Sequence, residues 1–447
     1  MKNKVGLISL GCDKNLVDSE YMLGILKKNG YEITNDEKQA EILVINTCGF
    51  VQSAKQESID TILEMGEYKK NGSCKLLIAT GCLAQRYKSE LLKQMPEIDA
   101  VLGTGEFYKI NDVIIKLLSE GKKINLTRKH CFLDYDVNNR VRAYPYHSFV
   151  KIAEGCNNRC SYCAIPFIKG PYKSRDISSI KAEVKMLVKD GVKEINLIAQ
   201  DTTSYGIDLF GKPSLQVLLK ELIKIEGDFW IRILYAYPTN ITDELIEIIK
   251  DSPKIVKYLD IPLQHINNRI LKLMNRPTDS FFIKSLIEKI RRNIPGITMR
   301  TTFIVGLPTE TESDFDELLE FIRKYEFEKV GAFKYSQEEG TPAAQLSHQV
   351  SEDTKSRRYN ELMQVQQAIS KNKNRKLEGK KFTVLTESYS NKNNLYIGRT
   401  QREAPFVDGV VLFKAKSCTL GEFCKVEIKK AYDYDLFGLR VDEIPYQ

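Results

Sequence analysis

No apolar run in this chain approaches the length needed to span a bilayer. Residues 5–10, which follow Met1-Lys2-Asn3-Lys4, lack the core and cleavage site of a signal peptide. Together these absences predict a chain that stays in the cytoplasm and has no membrane partner. Strong charge is missing too. A net charge of +8 over 447 residues permits a nucleic-acid or ribonucleoprotein partner without demanding one. The length allows two or three domains with sizeable cores, and the composition is that of an ordinary soluble chain.

What the chain does hold is cysteine, ten in all. In a reducing compartment thiols persist, so that number argues for metal ligation before disulfides. Cys156, Cys160 and Cys163 are packed as C-x-x-x-C-x-x-C. Cys12, Cys48 and Cys82 lie far apart, yet each follows a short apolar run. Two sets of three thiolates, each short of a fourth ligand, point to two iron–sulfur clusters, each with an iron open to a substrate or cofactor. Zinc is the competing metal. A structural zinc site wants four closed ligands, and no further Cys or His follows closely after Cys163. His147 precedes the loop, but on the far side of a strand. Of the remaining cysteines, Cys74 and Cys131 fall in expected loops, and Cys418 and Cys424 lack metal partners.

The patterning predicts an α/β chain. Residues 1–121 read as an N-terminal parallel α/β sheet domain, with strands at 4–10, 41–45 and 75–79 and helices at 16–28, 53–68 and 111–118. Ligands of open parallel sheets bind at the carboxyl ends of the strands, so Cys12, Cys48 and Cys82 are expected to converge there. Glycines 11, 49 and 81 would let backbone approach a bulky ligand. Gly103-Thr104-Gly105-Glu106 reads as a turn. Residues 122–146 read as a polar linker. Residues 147–350 carry six strand–helix repeats, with strands at 149–153, 194–199, 230–235, 258–261, 298–305 and 329–335. This is a partial (β/α)6 barrel whose active site lies at the C-terminal mouth, where the Cys156–Cys163 loop also falls. Residues 351–379 form a connecting helix that docks through Leu362, Val365 and Ile369. Residues 380–447 read as a small antiparallel β-barrel with nearly balanced charge, a poor signature for strong RNA binding.

A cubane held by three thiolates leaves one iron for S-adenosylmethionine, which one electron then cleaves. By barrel logic Gln200 and Asp201, ending the second strand, and Gly306 and Glu310, following the fifth, are candidates to bind it. Asp201 is the foremost. C–H activation of this kind needs no histidine base, so no catalytic side chain is assigned beyond the cluster ligands, and His265 is read as hydrogen-bonded scaffolding.

The run Cys156-Asn157-Asn158-Arg159-Cys160-Ser161-Tyr162-Cys163-Ala164-Ile165-Pro166 resembles the cluster loop of the radical S-adenosylmethionine methylthiotransferases. The N-terminal cysteines resemble that family's auxiliary-cluster domain, and the C-terminal barrel its TRAM domain. The runs Leu10-Gly11-Cys12-Asp13-Lys14-Asn15-Leu16-Val17-Asp18-Ser19-Glu20, Ile198-Ala199-Gln200-Asp201-Thr202-Thr203 and Asp260-Ile261-Pro262-Leu263-Gln264-His265 are similar to members that modify a ribosomal protein. The tRNA-modifying members carry Gln-Met-Asn after the first cysteine and Gln-Asn-Val after the second strand. This chain carries Lys14-Asn15 and Asp201-Thr202-Thr203 instead.

The resemblance implies two [4Fe-4S] clusters, S-adenosylmethionine and a reducing electron donor. It also implies methylthiolation of the β-carbon of an aspartate, in a small-subunit ribosomal protein or the assembled subunit, with tRNA the less favoured partner. Three alternatives stay open at this point: a tRNA methylthiotransferase, a non-catalytic iron–sulfur module that binds ribosomes, and a radical enzyme whose N-terminal cysteines are only structural.

Overall fold

A computed structural model describes residues 3–128 and 139–441; Cys131 lies outside the described residues. The N-terminal domain is a six-stranded parallel sheet. Its spatial order is Glu32–Ile33, Lys4–Ser9, Ile42–Thr47, Leu76–Gly81, Ala100–Leu102, Ile124–Leu126. Ile42–Thr47 and Leu76–Gly81 are buried along their whole length, as expected of central strands covered by helices on both faces. Chain order reverses beside Lys4–Ser9, and such reversal points are where open sheets bind ligands. The last strand, Ile124–Leu126, lies inside the stretch read as a linker, so the sheet runs past residue 121.

The central domain is a second six-stranded parallel sheet. His147–Lys151, Glu194–Ile198, Trp230–Ile233, Ile255–Asp260, Thr298–Val305 and Lys329–Lys334 pair in chain order. The two end strands do not pair with each other, so the barrel is partial. Its convex face packs under helices through residues such as Ile195, Ile231, Leu218 and Ile287. Its concave face is filled by the other two domains. Phe149, Ile198, Trp230 and Tyr258 share one apolar core with Val17 and Met22 of the N-terminal domain and with Leu385 and Ala404 of the C-terminal barrel.

The helix Glu352–Arg375 docks on the central domain through Leu362 and Ile369, with Val365 packed alongside. The five strands beyond it form a closed barrel. It is not wholly antiparallel: Leu436–Arg440 inserts beside Val411–Lys414 and pairs with it in parallel. This barrel is anchored at the start of the central strands. Arg399 bonds Glu194 at 2.5 Å and Glu387 at 2.7 Å, and Tyr258 Oη donates to Asp408 at 2.7 Å.

Candidate active site

Cys48 and Cys82 stand directly after a strand, and Cys12 stands three residues past the end of Lys4–Ser9. Cys12 precedes the helix Asp13–Lys28, Cys48 follows Ile42–Thr47, and Cys82 opens the helix Cys82–Gln94. The strand ends are stapled together by Asn15. Its Nδ2 donates to the carbonyls of Leu10 and Thr47, both at 3.0 Å, and its Oδ1 lies 3.8 Å from Cys82 Sγ. The glycines at 11 and 81 admit neighbouring chain at close range. Gly11 has φ +85°, and a Cβ there would meet Cys48 Cβ at 2.7 Å and Sγ at 2.9 Å. A Cβ on Gly81 (φ +90°) would meet Asn46 Oδ1 at 2.3 Å. Gly11→Ala is therefore expected to push Cys48 out of place and to lower the iron and sulfide retained by the N-terminal domain, as read by chemical assay.

The Cys156–Cys163 loop is pinned at several points. Cys156 N–H donates to Gly170 O at 3.1 Å, and Ser161 N–H to Met274 O at 2.9 Å. Ser161 O accepts from Ala343 N–H at 2.8 Å, and Ser161 Oγ donates to Leu273 O at 2.6 Å. A rigid loop presenting three sulfurs in one direction is what cluster ligation requires.

All six cysteines line a single cavity of about 420 Å³, walled by the N-terminal and central domains. Among the described residues its wall carries three cations, Lys14, Lys169 and Arg276, and no carboxylate. Burial pushes the Cys48 thiol up, that of Cys156 to about 11, and those of Cys82 and Cys163 to about 12. These thiols keep their protons until a metal displaces them. Among the described residues no three Cys, His, Asp or Glu side chains close around a single ion. Four buried polar atoms at the wall lack hydrogen-bond partners: Lys169 Nζ, Gln200 Oε1, Gln264 Oε1 and Arg276 Nε. Buried polar groups are normally satisfied, so the cavity is built to hold polar and anionic groups. The donor set thus fits iron–sulfur clusters and S-adenosylmethionine.

Of the four residues expected to bind that cofactor, the structure puts Gln200 at the cavity and the others elsewhere. The Asp201 carboxylate is fully engaged. It accepts from Asn158 Nδ2 at 3.0 Å, Ser204 Oγ at 2.6 Å, Thr203 Oγ1 at 2.8 Å and Ser204 N–H at 3.1 Å. It holds the cluster loop instead of lining the cavity. Glu310 accepts from the N–H groups of Gly306 and Leu307, and its other oxygen pairs with Arg358 at 3.0 Å. That loop locks the fifth strand to the helix Glu352–Arg375. Sequence reasoning missed Lys14, Lys169, Arg276 and Gln264 as lining residues. Lys14 and Gln264 lay within conspicuous motifs, whereas Lys169 and Arg276 carried no local signal. Arg276 Nη1 sits 3.9 Å from Cys160 Sγ and its Nη2 donates to Pro262 O at 2.8 Å. Tyr235 and Gln264, at the mouth, have φ of 61° and 72°, the kind of strained backbone that clusters at functional sites.

His265 is scaffolding, as expected. It is fully buried, and its Nδ1 accepts from Asn267 N–H at 3.0 Å. Burial lowers it from 6.5 to about 3, with Arg269 and Arg358 adding to that and Asp314 opposing it. The unfolded chain therefore takes up a proton below 6.5 that the folded chain refuses. Stability from this group is complete above that value and drains by about 1.4 kcal/mol per pH unit as pH falls toward 3. His265→Gln should flatten that slope in acid denaturation curves. Away from the site, Cys74 is buried with its Sγ 3.3 Å from Leu76 O, and Cys418 and Cys424 share Thr386 Oγ1.

Residues 4–103 match the family model described as uncharacterized protein family UPF0004, residues 150–322 the radical SAM superfamily, and residues 379–441 the TRAM domain. The ribosomal protein uS12 methylthiotransferase RimO of Caldicellulosiruptor saccharolyticus is 53% identical over 438 residues, 97% of this chain and 99% of that protein. RimO of Clostridium botulinum is 52% identical over 444 residues, 99% of each. Among solved structures, the radical S-adenosylmethionine methyltransferase TsrM from Kitasatospora setae aligns with a TM-score of 0.55 at 14% identity, over 77% of each chain. At that identity the likeness is one of fold. Sharing about half its residues with these relatives along nearly its full length, the chain belongs to the RimO family of radical S-adenosylmethionine methylthiotransferases.

Proposed function

We propose that this chain methylthiolates the β-carbon of an aspartate in ribosomal protein uS12, free or in the assembled small subunit. The observation that carries this reading is the convergence of all six cysteines on one cavity. Cys156, Cys160 and Cys163 hold one [4Fe-4S] cluster, and Cys12, Cys48 and Cys82 hold a second. When bound, these groups supply reductive cleavage of S-adenosylmethionine and the sulfur to be transferred, using an external one-electron donor.

The chain's own residues place, shield and neutralise. Asp201 fixes Asn158, and through it the cluster loop. Gln200 donates to Glu154 at 2.8 Å and leaves its Oε1 for the polar end of S-adenosylmethionine. Arg276 beside Cys160, and Lys169, which lies 3.3 Å from Glu154 without a hydrogen bond to it, offset thiolate charge. Tyr162, Tyr235, Tyr237 and Phe50 contribute an aromatic wall that keeps water from a reactive intermediate. Among the described residues no helix is long and apolar enough to cross a membrane, which accords with a ribosomal substrate in the cytoplasm.

The test is to incubate the reconstituted, reduced protein with S-adenosylmethionine and either uS12 or tRNA. We expect uS12 to gain the mass of one methylthio group at an aspartate. A modified tRNA beside unmodified uS12 would overturn the reading.

A further inference from the structure

The two motif segments in which this chain departs from the tRNA-modifying members hold five residues, Lys14, Asn15, Asp201, Thr202 and Thr203, of which Asn15 takes the place of their own Asn. The structure gives four of them internal work. Asn15 and Asp201 hold strand ends and the cluster loop, as described above. Thr202 Oγ1 donates to Leu234 O at 2.7 Å. Thr203 Oγ1 donates to Asp201 and accepts from Tyr237 N–H at 2.8 Å. Lys14 alone of the five lines the cavity.

Its ammonium is aimed. It lies 3.1 Å above the centre of the Tyr235 ring and 3.1 Å from Asp13 Oδ1, while Asp13 Oδ2 accepts from Tyr235 Oη at 3.0 Å. The Lys14 side chain is 10% exposed, so its charge acts at low dielectric. The other two cations of the wall are committed. Lys169 lies 3.3 Å from Glu154, and Arg276 bonds Pro262 O beside Cys160. An ammonium has three donors, and Asp13 takes only part of that capacity.

We propose that Lys14 forms the carboxylate subsite for the substrate. Its ammonium receives the side-chain carboxylate of the target aspartate, which holds the attached β-carbon inside the cavity that both cysteine sets line. This rests on the reading that an aspartate of uS12 is the substrate. Hydrogen abstraction has little selectivity of its own, so the chain must choose the carbon by position. A carboxylate one bond from the target is the strongest handle that carbon offers. A site built to pair with a charge also rejects an analogue that lacks it.

The experiment measures binding of uS12, and of its Asp→Asn variant at the modified position, to the reconstituted protein. The wild-type protein is expected to prefer aspartate about tenfold to a hundredfold, the span of one charge-assisted hydrogen bond. Lys14→Met should bind both forms alike, and Lys14→Arg should keep most of the preference. Iron and sulfide contents equal to wild type show that the variants are assembled. If Lys14→Met sheds its clusters, Lys14→Gln, which keeps a polar donor but no charge, takes its place and should also lose the preference. An assembled Met or Gln variant that still prefers aspartate would overturn the subsite, as would an Arg variant that loses the preference completely. Failure of the wild-type protein to bind or modify uS12 at all would instead sink the substrate reading itself.

Discussion

Replacing Cys12, Cys48 and Cys82 together with alanine should remove the iron and sulfide of one cluster and leave those of the other. It should abolish methylthiolation of uS12 while S-adenosylmethionine is still cleaved to 5′-deoxyadenosine. The expectation follows from how separately the two sets are built. The N-terminal thiols come from three strand ends joined by Asn15, whereas the other three come from one loop pinned by Gly170, Met274 and Ala343. The loop's hydrogen-bond anchors lie outside the N-terminal sheet; of that domain's three thiols only Cys82 packs beside the loop, against Ala164 and Ile168, and alanine there keeps an apolar contact, so the loop should hold. The reciprocal variant, alanine at 156, 160 and 163, should lose both cofactor cleavage and product. Iron and sulfide counts check the first claim, and chromatography of the nucleoside product the second. An unchanged metal content in the N-terminal triple variant would show that those cysteines ligate nothing.

The placement of the cysteines was legible because an apolar run ending in a thiol is a local pattern. The rule that parallel sheets use their carboxyl ends then brought distant residues together. All six barrel strands were found within a few residues for the same reason. Strands of two or three residues, such as Glu32–Ile33 and Ala100–Leu102, are too short to show a period. The helix Cys82–Gln94 was missed as well, and Lys88, with φ 49°, breaks its helical pattern. The parallel pair in the C-terminal barrel was hidden because hairpin logic assumes neighbours in sequence.

Site chemistry was harder to read. A polar residue after a strand reads the same whether it meets a ligand or a neighbour. Asp201 and Glu310 met neighbours, Asn158 and Arg358, that only the fold brings close. Lys169 and Arg276 were invisible for the converse reason: a single cation on a short helix or loop has no spacing to betray it. The motifs that separate this chain from tRNA-modifying relatives proved mostly to be scaffold. That is why the substrate follows from kinship more than from the motifs as a whole.

Lys151→Met should cost about 3–5 kcal/mol, the usual penalty for breaking a buried ion pair from one side. Lys151 is fully buried between Asp18 of the N-terminal domain, at 2.6 Å, and Glu154 of its own domain. Lys169 stands farther off, 3.3 Å from Glu154 and 3.8 Å from Asp18. One remaining cation cannot satisfy two buried carboxylates. Burial alone would raise Glu154, yet Lys151 and Lys169 pull it down to about 2. Burial keeps Asp18 above its ordinary value against the same lysines, so Asp18 is the carboxyl that protonates first once Lys151 is gone. The penalty should therefore shrink as pH falls, and adding Asp18→Asn to the variant should recover part of it. Denaturant unfolding of single and double variants at two pH values measures this, and a loss below about 1 kcal/mol would contradict it. The effect on function follows from position. Asp18 lies on the helix that begins after Cys12, and Glu154 stands two residues before Cys156. The network therefore sets one group of cysteines against the other. Its loss should reduce methylthiolation, which needs both groups in register, more than cofactor cleavage, which needs only the loop.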